Sequence, residues 1–384
     1  MKIGIVTTSF PRWRQDYIGA FIYEAARAIQ MKGFQVKVIT MHYPGTPRHE
    51  SWDGIEILRT RYLPDSWELL KSQGGGLPEV WKNNPRARIQ ILPFMIAFFF
   101  DVILHTRDCD ILHANWTLSG TIAWMNYLLT KKTYFVTVHG SDIYKTIKLP
   151  FITFITRISL LKAKKVLVVS RALSDKVNSI GVPYSNIEIV PDGVDTTNFV
   201  PLPYKDRANN ILFVGSLIER KGIRYLIQAF ANIVQYFPDI HLIMMGEGYQ
   251  RAECEALVQS YGLSEKVCFT GAQTREQVAE SMRKAKIFIL PSIEEGLGVV
   301  LLEALASGTP IVASNIGGIP DVVDGTVGIL IPPGEPEALE KAILSILSLN
   351  LNAWNVLHHN ARKRSEEVFD WAHIAQRIVE LYKD

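Results

Sequence analysis

The stretch Ile287–Ser314, IFILPSIEEGLGVVLLEALASGTPIVAS, holds two strand-like runs and a helix-like run in order. Ile287–Leu290 is short, β-branched and aromatic, and predicts a strand. It runs into a polar, Gly-containing loop, and an apolar helix is expected from about Leu297 to Ala306. Ile311–Ala313 then reads as a second strand. A strand, a covering helix and a further strand favour a parallel sheet with helices packed on its faces.

The same alternation extends outward to both ends. Ile3–Thr7, Gln35–Thr40, Ile111–Ala114, Tyr134–His139 and Val166–Ser170 read as strands. Between them lie helical patterns such as Ala20–Met31, with apolar residues at 21, 22, 25, 26 and 29. The rhythm restarts at Ile211–Val214, His241–Met245 and Val267–Thr270 before reaching the opening stretch. The fold class is therefore α/β, and 384 residues are comfortable for two such domains. The segment Ile189–Lys205, with Pro191, Pro201 and Pro203, separates them. We expect a first lobe over 1–195 and a second over 205–365. A C-terminal helix over 370–384 is expected to return to the first lobe. Ligands of open parallel sheets sit beyond the carboxyl ends of the strands. Two lobes facing each other that way predict an interdomain cleft.

Composition narrows the class. Hydrophobic residues make up 48% and charged residues 21%, a globular balance. The start, MKIGIVTTSF, is too short and polar for a secretory leader and reads as a strand. Ile89–Phe100 is free of charge for only twelve residues, against the roughly 20 of a spanning helix. Three cysteines without a CxxC pair argue against disulfides or a thiolate metal site and fit a reducing cytoplasm. Residues 1–200 carry 24 Lys and Arg against 16 Asp and Glu, and the remainder 17 against 22. The basic first half suggests an anionic partner such as a membrane surface, though ordinary surface variation explains it equally well. No module with basic residues arranged for nucleic acid is found, and nucleic acid is not an expected partner.

Chemistry concentrates in two places. In the second lobe, Glu295 is expected at a helix start and Glu303 inside that helix. Eight helical residues rise about 12 Å, comparable to the distance between sugar and ribose in a nucleotide sugar. A helix N-terminus offers free N–H groups to a diphosphate, and a buried Glu303 would suit a ribose diol. From spacing alone, a helix-start carboxylate and a structural ion pair explain the two residues as well. In the first lobe, His139-Gly140-Ser141-Asp142 ends a strand at its carboxyl end. The loop Ser9–Gly19 follows the first strand.

These residues resemble a family. E-G-x-G-x-x-x-x-E-A-x-A-x-G-x-P at 295–310 is similar to the E-x7-E signature of family 4 retaining glycosyltransferases, the glycosyl transferases group 1, which have the GT-B fold of two Rossmann-like lobes. TSFPR at 8–12, VTVHGSD at 136–142, VPDGVD at 190–195, VGSLIERKG at 214–222 and NIGGIPD at 315–321 extend the resemblance in order along nearly the whole chain. It implies an acceptor-binding first lobe and a nucleotide-sugar-binding second lobe. It also implies that Glu295 contacts the transferred sugar, that Glu303 holds the ribose, and that Lys221 neutralises the leaving diphosphate. His139 would hydrogen-bond the donor sugar. Gly296, Gly298, Gly317 and Gly318 would line the donor site, and Gly19 would let its loop approach closely. Many members have Arg where Ser216 stands here; Arg220 either substitutes for it or is a solvated charge. Arg12, Arg14 and Asp142 are weaker acceptor-side candidates, the two arginines serving an anionic acceptor or merely solubilising the loop.

Asp108-Cys109-Asp110 has a D-x-D form but precedes a strand, at the end away from the expected cleft, so no metal is expected. No dinucleotide fingerprint follows the first strand. The implied reaction is metal-independent transfer, with retention, from a nucleotide-diphosphate sugar to a hydroxyl acceptor, with lipid-linked acceptors among the candidates. No further cofactor is needed, and the setting is cytoplasmic with a contact to the inner membrane face left open. A nucleotide-sugar 2-epimerase and a transferase for a small soluble acceptor are the alternatives. The apolar segments Ile91–Leu104 and Leu149–Ile158, near Lys145 and Lys148, lie either in the core or on a membrane.

Overall fold

Runs of β-branched residues bounded by polar turns become strands buried on both faces when helices cover the sheet from either side. A computed structural model describes residues 1–70, 80, 84–146 and 150–383. Leu149 of the second apolar segment, Lys148 just before it, and the last residue of the C-terminal stretch lie outside the described residues. The chain divides into one unit of Met1–Asp192 with Ile374–Asp384 and another of Gly193–His373.

The first unit is built on β1 (Lys2–Thr7), β2 (Gln35–Met41), β3 (His49–Trp52), β4 (Ile55–Thr60), β5 (Ile111–Asn115), β6 (Tyr134–Val138), β7 (Val166–Val168) and β8 (Ile187–Ile189). Their order across the sheet is β3-β4-β2-β1-β5-β6-β7-β8, and only β3 pairs antiparallel. The second unit carries β9 (Asn210–Val214), β10 (His241–Met245), β11 (Val267–Gly271), β12 (Ile287–Leu290), β13 (Ile311–Ser314) and β14 (Gly328–Ile331), all parallel, in the order β11-β10-β9-β12-β13-β14. Each sheet reverses direction once. In the first, β1 lies between β2 and β5; in the second, β9 lies between β10 and β12. At such a switch point the loops after two neighbouring strands part in opposite directions and leave a crevice. The loops after β1, β5, β9 and β12 are therefore where each unit can hold a ligand.

The C-terminal helix Trp371–Lys383 buries Ile374, Ala375, Ile378, Val379 and Tyr382. The Tyr382 hydroxyl meets His113 Nδ1 on β5, and His113 Nε2 lies 2.7 Å from Thr137 Oγ1 on β6. Burial holds the His113 ring down to about 3, so it stays neutral and serves as a hydrogen-bonding clasp. At the other end of this return, Val194 N–H donates to the Phe369 carbonyl, and Val194 and Asp370 form a bridge.

A second buried histidine is shifted the other way. His42, just past β2, has Nε2 3.0 Å from the Thr46 carbonyl and Nδ1 2.8 Å from Glu68 Oε2. Facing two acceptors, the ring satisfies both only when both nitrogens carry protons. Burial opposes that charge, but the Glu68 carboxylate and the Thr46 carbonyl outweigh it and hold His42 above its ordinary value. A raised histidine contributes stability that is complete below the unfolded value of about 6.5 and is lost as pH rises through the folded value. Thermal melts should therefore show wild type gaining most over His42→Gln below about pH 6.5, with the gap narrowing as pH rises above it. A gap independent of pH would mean that the ring is neutral.

Candidate functional site

Two groups of side chains gather at the switch points, one in each unit. In the second unit, the chain leaves β9 through Gly215 and Ser216 and makes a tight turn at Glu219–Lys221 before the helix Ile223–Tyr236. The chain leaving β12 runs alongside, and Ile293 N–H donates to the Arg220 carbonyl at 2.8 Å. This stitch brings Lys221 and Glu295 together. Lys221 Nζ donates to Glu295 Oε2, Ser292 Oγ donates to the same oxygen at 3.3 Å, and Gly296 N–H reaches Oε1 at 3.3 Å. Both charged side chains are buried. Burial lowers the Lys221 ammonium, with Glu295 opposing. Burial also acts against the charged form of Glu295, but Lys221 and then Arg220 outweigh it and hold the carboxyl below its usual range. An ammonium and a carboxylate withdrawn together from water, with a second cation nearby, make a strong local field at the mouth of a crevice.

The helix expected from Leu297 is shorter than the sequence suggests. It spans Val299–Ala306, and Gly298 before it has φ 87°, a left-handed conformation that cannot continue a helix. Glu295 therefore sits in the loop, four residues before the first helical residue, rather than at a helix start. The 12 Å helical spacing to Glu303 does not apply. Glu303 is within that helix and buried, with Arg275 Nη2 4.0 Å from its Oε1. At position 317 a Cβ would lie 1.9 Å from the Glu295 carbonyl, so only Gly317 lets the loop after β13 press against the Glu295 backbone. Gly318 starts the short helix Ile319–Val322.

In the first unit, β6 ends at Val138 and His139 follows. Its Nε2 lies 2.9 Å from Asn115 Oδ1, at the end of β5, and its Nδ1 lies 3.6 Å from Asp192 Oδ1. Nδ1 is buried without a hydrogen-bond partner. The ring is held between Phe21 and Trp116, with centroids 5.1 Å and 4.9 Å away. Trp116 follows β5 with φ 67° and ψ 154°, a conformation nearly confined to glycine. Asp142 ties the backbone together here, since Oδ2 accepts from Thr117 N–H at 2.8 Å and Oδ1 from Gly140 N–H at 3.0 Å. Burial pushes its carboxyl up, against the pull of His139.

The loop after β1 is self-contained. Arg12 forms a two-pronged pair with buried Asp16, its Nη2 2.8 Å from Oδ1, and lies over Trp13 and Tyr43. Arg14 meets Asp53 at 3.1 Å on the surface. Buried Arg59 of β4 donates to the Pro11 carbonyl at 2.8 Å. Gly19 precedes the helix Ala20–Met31, close against the Phe10 backbone. Asp108 is engaged by Lys2 at 2.7 Å and Lys37 at 3.2 Å, and Asp110 by the Lys2 backbone N–H at 2.6 Å, all at the amino ends of their strands. The Lys2 hydrogen bond, opposed by burial, helps hold Asp108 at about 2.

The structure adds Asn115, Trp116, Asp192 and Phe21 around His139, and Ser292 and Arg275 around the two glutamates. Asp192 lies within VPDGVD at 190–195, but its proximity to His139 needs the fold. Trp116 carries no sequence signal, because its conformation is set by the turn out of β5.

Comparison with known proteins gives a consistent picture. Residues 194–364 match the family described as "Glycosyl transferases group 1", and residues 18–198 match "Glycosyltransferase Family 4". An uncharacterized glycosyltransferase of Methanocaldococcus jannaschii is 25% identical over 407 aligned residues, covering 100% of this chain and 98% of the relative. Among solved structures, sucrose-phosphate synthase from Thermosynechococcus elongatus superposes with a TM-score of 0.81 at 24% identity, covering 100% of this chain and 98% of that one. Anabaena HepE in complex with UDP-glucose gives a TM-score of 0.78 at 18% identity, over 100% and 99% of the chains.

Proposed function

The chain belongs to the family 4 glycosyltransferases and has the GT-B fold, and from that premise we propose that it transfers a sugar, with retention, from a nucleotide-diphosphate donor to a hydroxyl acceptor. The observation that carries this reading is the buried Lys221–Glu295 pair at the switch point of the second unit. Lys221 and Arg220 receive the diphosphate, Glu303 the ribose and Glu295 the sugar. A diphosphate gains charge as its bond to the anomeric carbon breaks, and fixed cations in a dry site stabilise that charge most at the transition state. The bound UDP-glucose of Anabaena HepE is consistent with a donor of this class.

In the first unit, the proposal gives His139 a sugar hydroxyl. His139 Nε2 faces Asn115 Oδ1, and Nδ1, 3.6 Å from Asp192 Oδ1, is the ring nitrogen without a hydrogen-bond partner. A sugar hydroxyl, which can donate or accept, would satisfy it.

The step is a substitution on one face of the sugar. The acceptor oxygen forms the new bond to the anomeric carbon as the bond to the diphosphate oxygen breaks. The acceptor's proton passes to that leaving oxygen, so the products are a glycoside and a nucleoside diphosphate. The chain's own part is to bind, orient and neutralise. Incubation with a panel of nucleotide sugars should release nucleoside diphosphate only when a hydroxyl acceptor is supplied, and EDTA should leave the rate unchanged. Turnover of the donor without acceptor would favour an epimerase. Loss of activity in EDTA, restored by Mg²⁺ or Mn²⁺, would overturn metal independence.

A further inference from the structure

The first unit carries an apolar surface that its described residues leave uncovered. Helix Ile91–His105 packs against helix Thr117–Thr130, which packs against helix Pro150–Lys162. Helix Ile91–His105 buries Phe94, Phe98 and Val102 completely. Its opposite side is equally apolar, yet Leu92, Ile96, Phe100 and Leu104 are 68%, 50%, 55% and 51% exposed. Those four residues are spaced four apart and form one stripe along the helix. Leu128 and Leu129 on the middle helix, and Phe151, Phe154 and Leu161 on the third, are exposed as well. A soluble helix ordinarily places polar residues where this one places leucine and phenylalanine.

Charge decides what covers this surface. Across the three helices the sole acidic residue is Asp101, which is buried and faces Arg48 at 3.3 Å. Arg157 and Lys162 lie on them and Arg88 and Lys131 flank them, all exposed, while Arg107 stands next to exposed Asp108. Phe154, Arg157 and Leu161 share one helix face by their spacing, so cation and hydrocarbon are presented together. At 15 residues, helix Ile91–His105 is about 22 Å long and too short to cross the roughly 30 Å apolar core of a bilayer. No helix among the described residues is long and apolar enough to cross.

We propose that this three-helix face docks on an anionic phospholipid bilayer, with Leu92, Ile96, Phe100 and Leu104 entering the acyl boundary and the rim cations engaging lipid headgroups. Apolar insertion combined with attraction to anionic lipid is the pattern of interfacial helices. From sequence, Ile91–Leu104 could lie in the core or on a membrane; the structure divides it, turning Phe98 into the core and leaving Phe100 outside. The inference does not depend on the catalytic reading.

The test is sedimentation of the full chain with phosphatidylcholine vesicles, with and without about 30% phosphatidylglycerol. Binding should need phosphatidylglycerol and should weaken as the Debye length falls from about 10 Å at 0.1 M salt to about 3 Å at 1 M. The double variant Ile96→Ser, Phe100→Ser should bind about tenfold or more weakly, as should Arg157→Glu, Lys162→Glu. Both pairs are exposed, and circular dichroism melts matching wild type will show that the fold is kept. Equal sedimentation with neutral vesicles, or unchanged binding by the folded variants, would overturn the proposal. So would failure to bind accompanied by a dimer in light scattering that the serine pair dissolves, because the face would then be a contact between two copies.

Discussion

Glu295→Gln should lower kcat by about 10²–10³ while leaving the fold recognisable, the scale at which single electrostatic partners act in transition states. The substitution keeps the volume of the side chain and removes its charge, so Lys221 is left buried beside Arg220 with no counter-ion. Breaking a buried pair by removing one partner ordinarily costs ~3–5 kcal/mol. Lys221 is already lowered by burial, with Glu295 as the group that opposes this. Without the carboxylate it falls further and sheds its proton at lower pH than in wild type. Two readouts follow beyond the rate. The apo variant should melt below wild type, and a nucleoside diphosphate should recover much of the difference by giving Lys221 a new anion. Donor affinity of the variant should also strengthen as pH falls and Lys221 recharges. Glu303→Ala, placed in the helix rather than the loop, should instead raise KM for the donor with kcat largely kept. Steady-state kinetics and melts on both variants decide the matter. Near-wild-type kcat for Glu295→Gln would remove that residue from the chemistry.

Much of this architecture was legible because parallel strands carry a strong local signature. His241–Met245 and Ile287–Leu290 occupy the ranges their apolar runs suggest, since both faces of each strand are covered. The edge was harder to read. β3 and β4 form a hairpin around Asp53-Gly54, both left-handed, a turn pair favoured between antiparallel strands. The flanking HESW and IEILRT runs mix charges with apolar residues, because the edge strand covers little core, and the signal is weak. The site divides along the same line. The loops bearing Lys221 and Glu295 could be placed at strand ends from sequence, but their meeting depends on strand order, which puts β9 beside β12 across 72 residues of chain. The helix start was misplaced because apolar periodicity continues through Leu297, whereas Gly298 ends it by backbone conformation. Arg12 and Arg14 read as candidate ligands for an anion; Asp16 and Asp53, which take them up, are visible in sequence only as nearby acids.

The departure at Ser216 leads to the second large effect. An extended loop would point Arg220 and Lys221 apart, but the structure puts both in one tight turn, Glu219–Lys221. Lys221 faces inward onto Glu295, while Arg220 is only half-buried yet near enough to act on both members of the pair. The two cations should therefore contribute unequally. Lys221→Ala should cost about 10²–10³ in kcat, with a smaller change in donor affinity, because the leaving diphosphate needs its cation most as charge develops. It should also move the acid limb of the pH–rate profile upward. Lys221 is the largest influence lowering Glu295, and without it burial raises that carboxyl, so ionisation is completed at higher pH. Arg220→Ala should cost about tenfold, since its charge is partly screened by water. Ser216, the position at which the resemblance expects an arginine, is half-buried in the loop that leaves β9. Adding Ser216→Arg to Arg220→Ala should then recover most of the lost rate if charge at the diphosphate is what Arg220 supplies. Recovery would appear in kcat rather than in KM, the mark of an interaction made chiefly in the transition state. An Arg220→Ala enzyme of full activity would assign the whole of this role to Lys221 and leave Arg220 to the solvent.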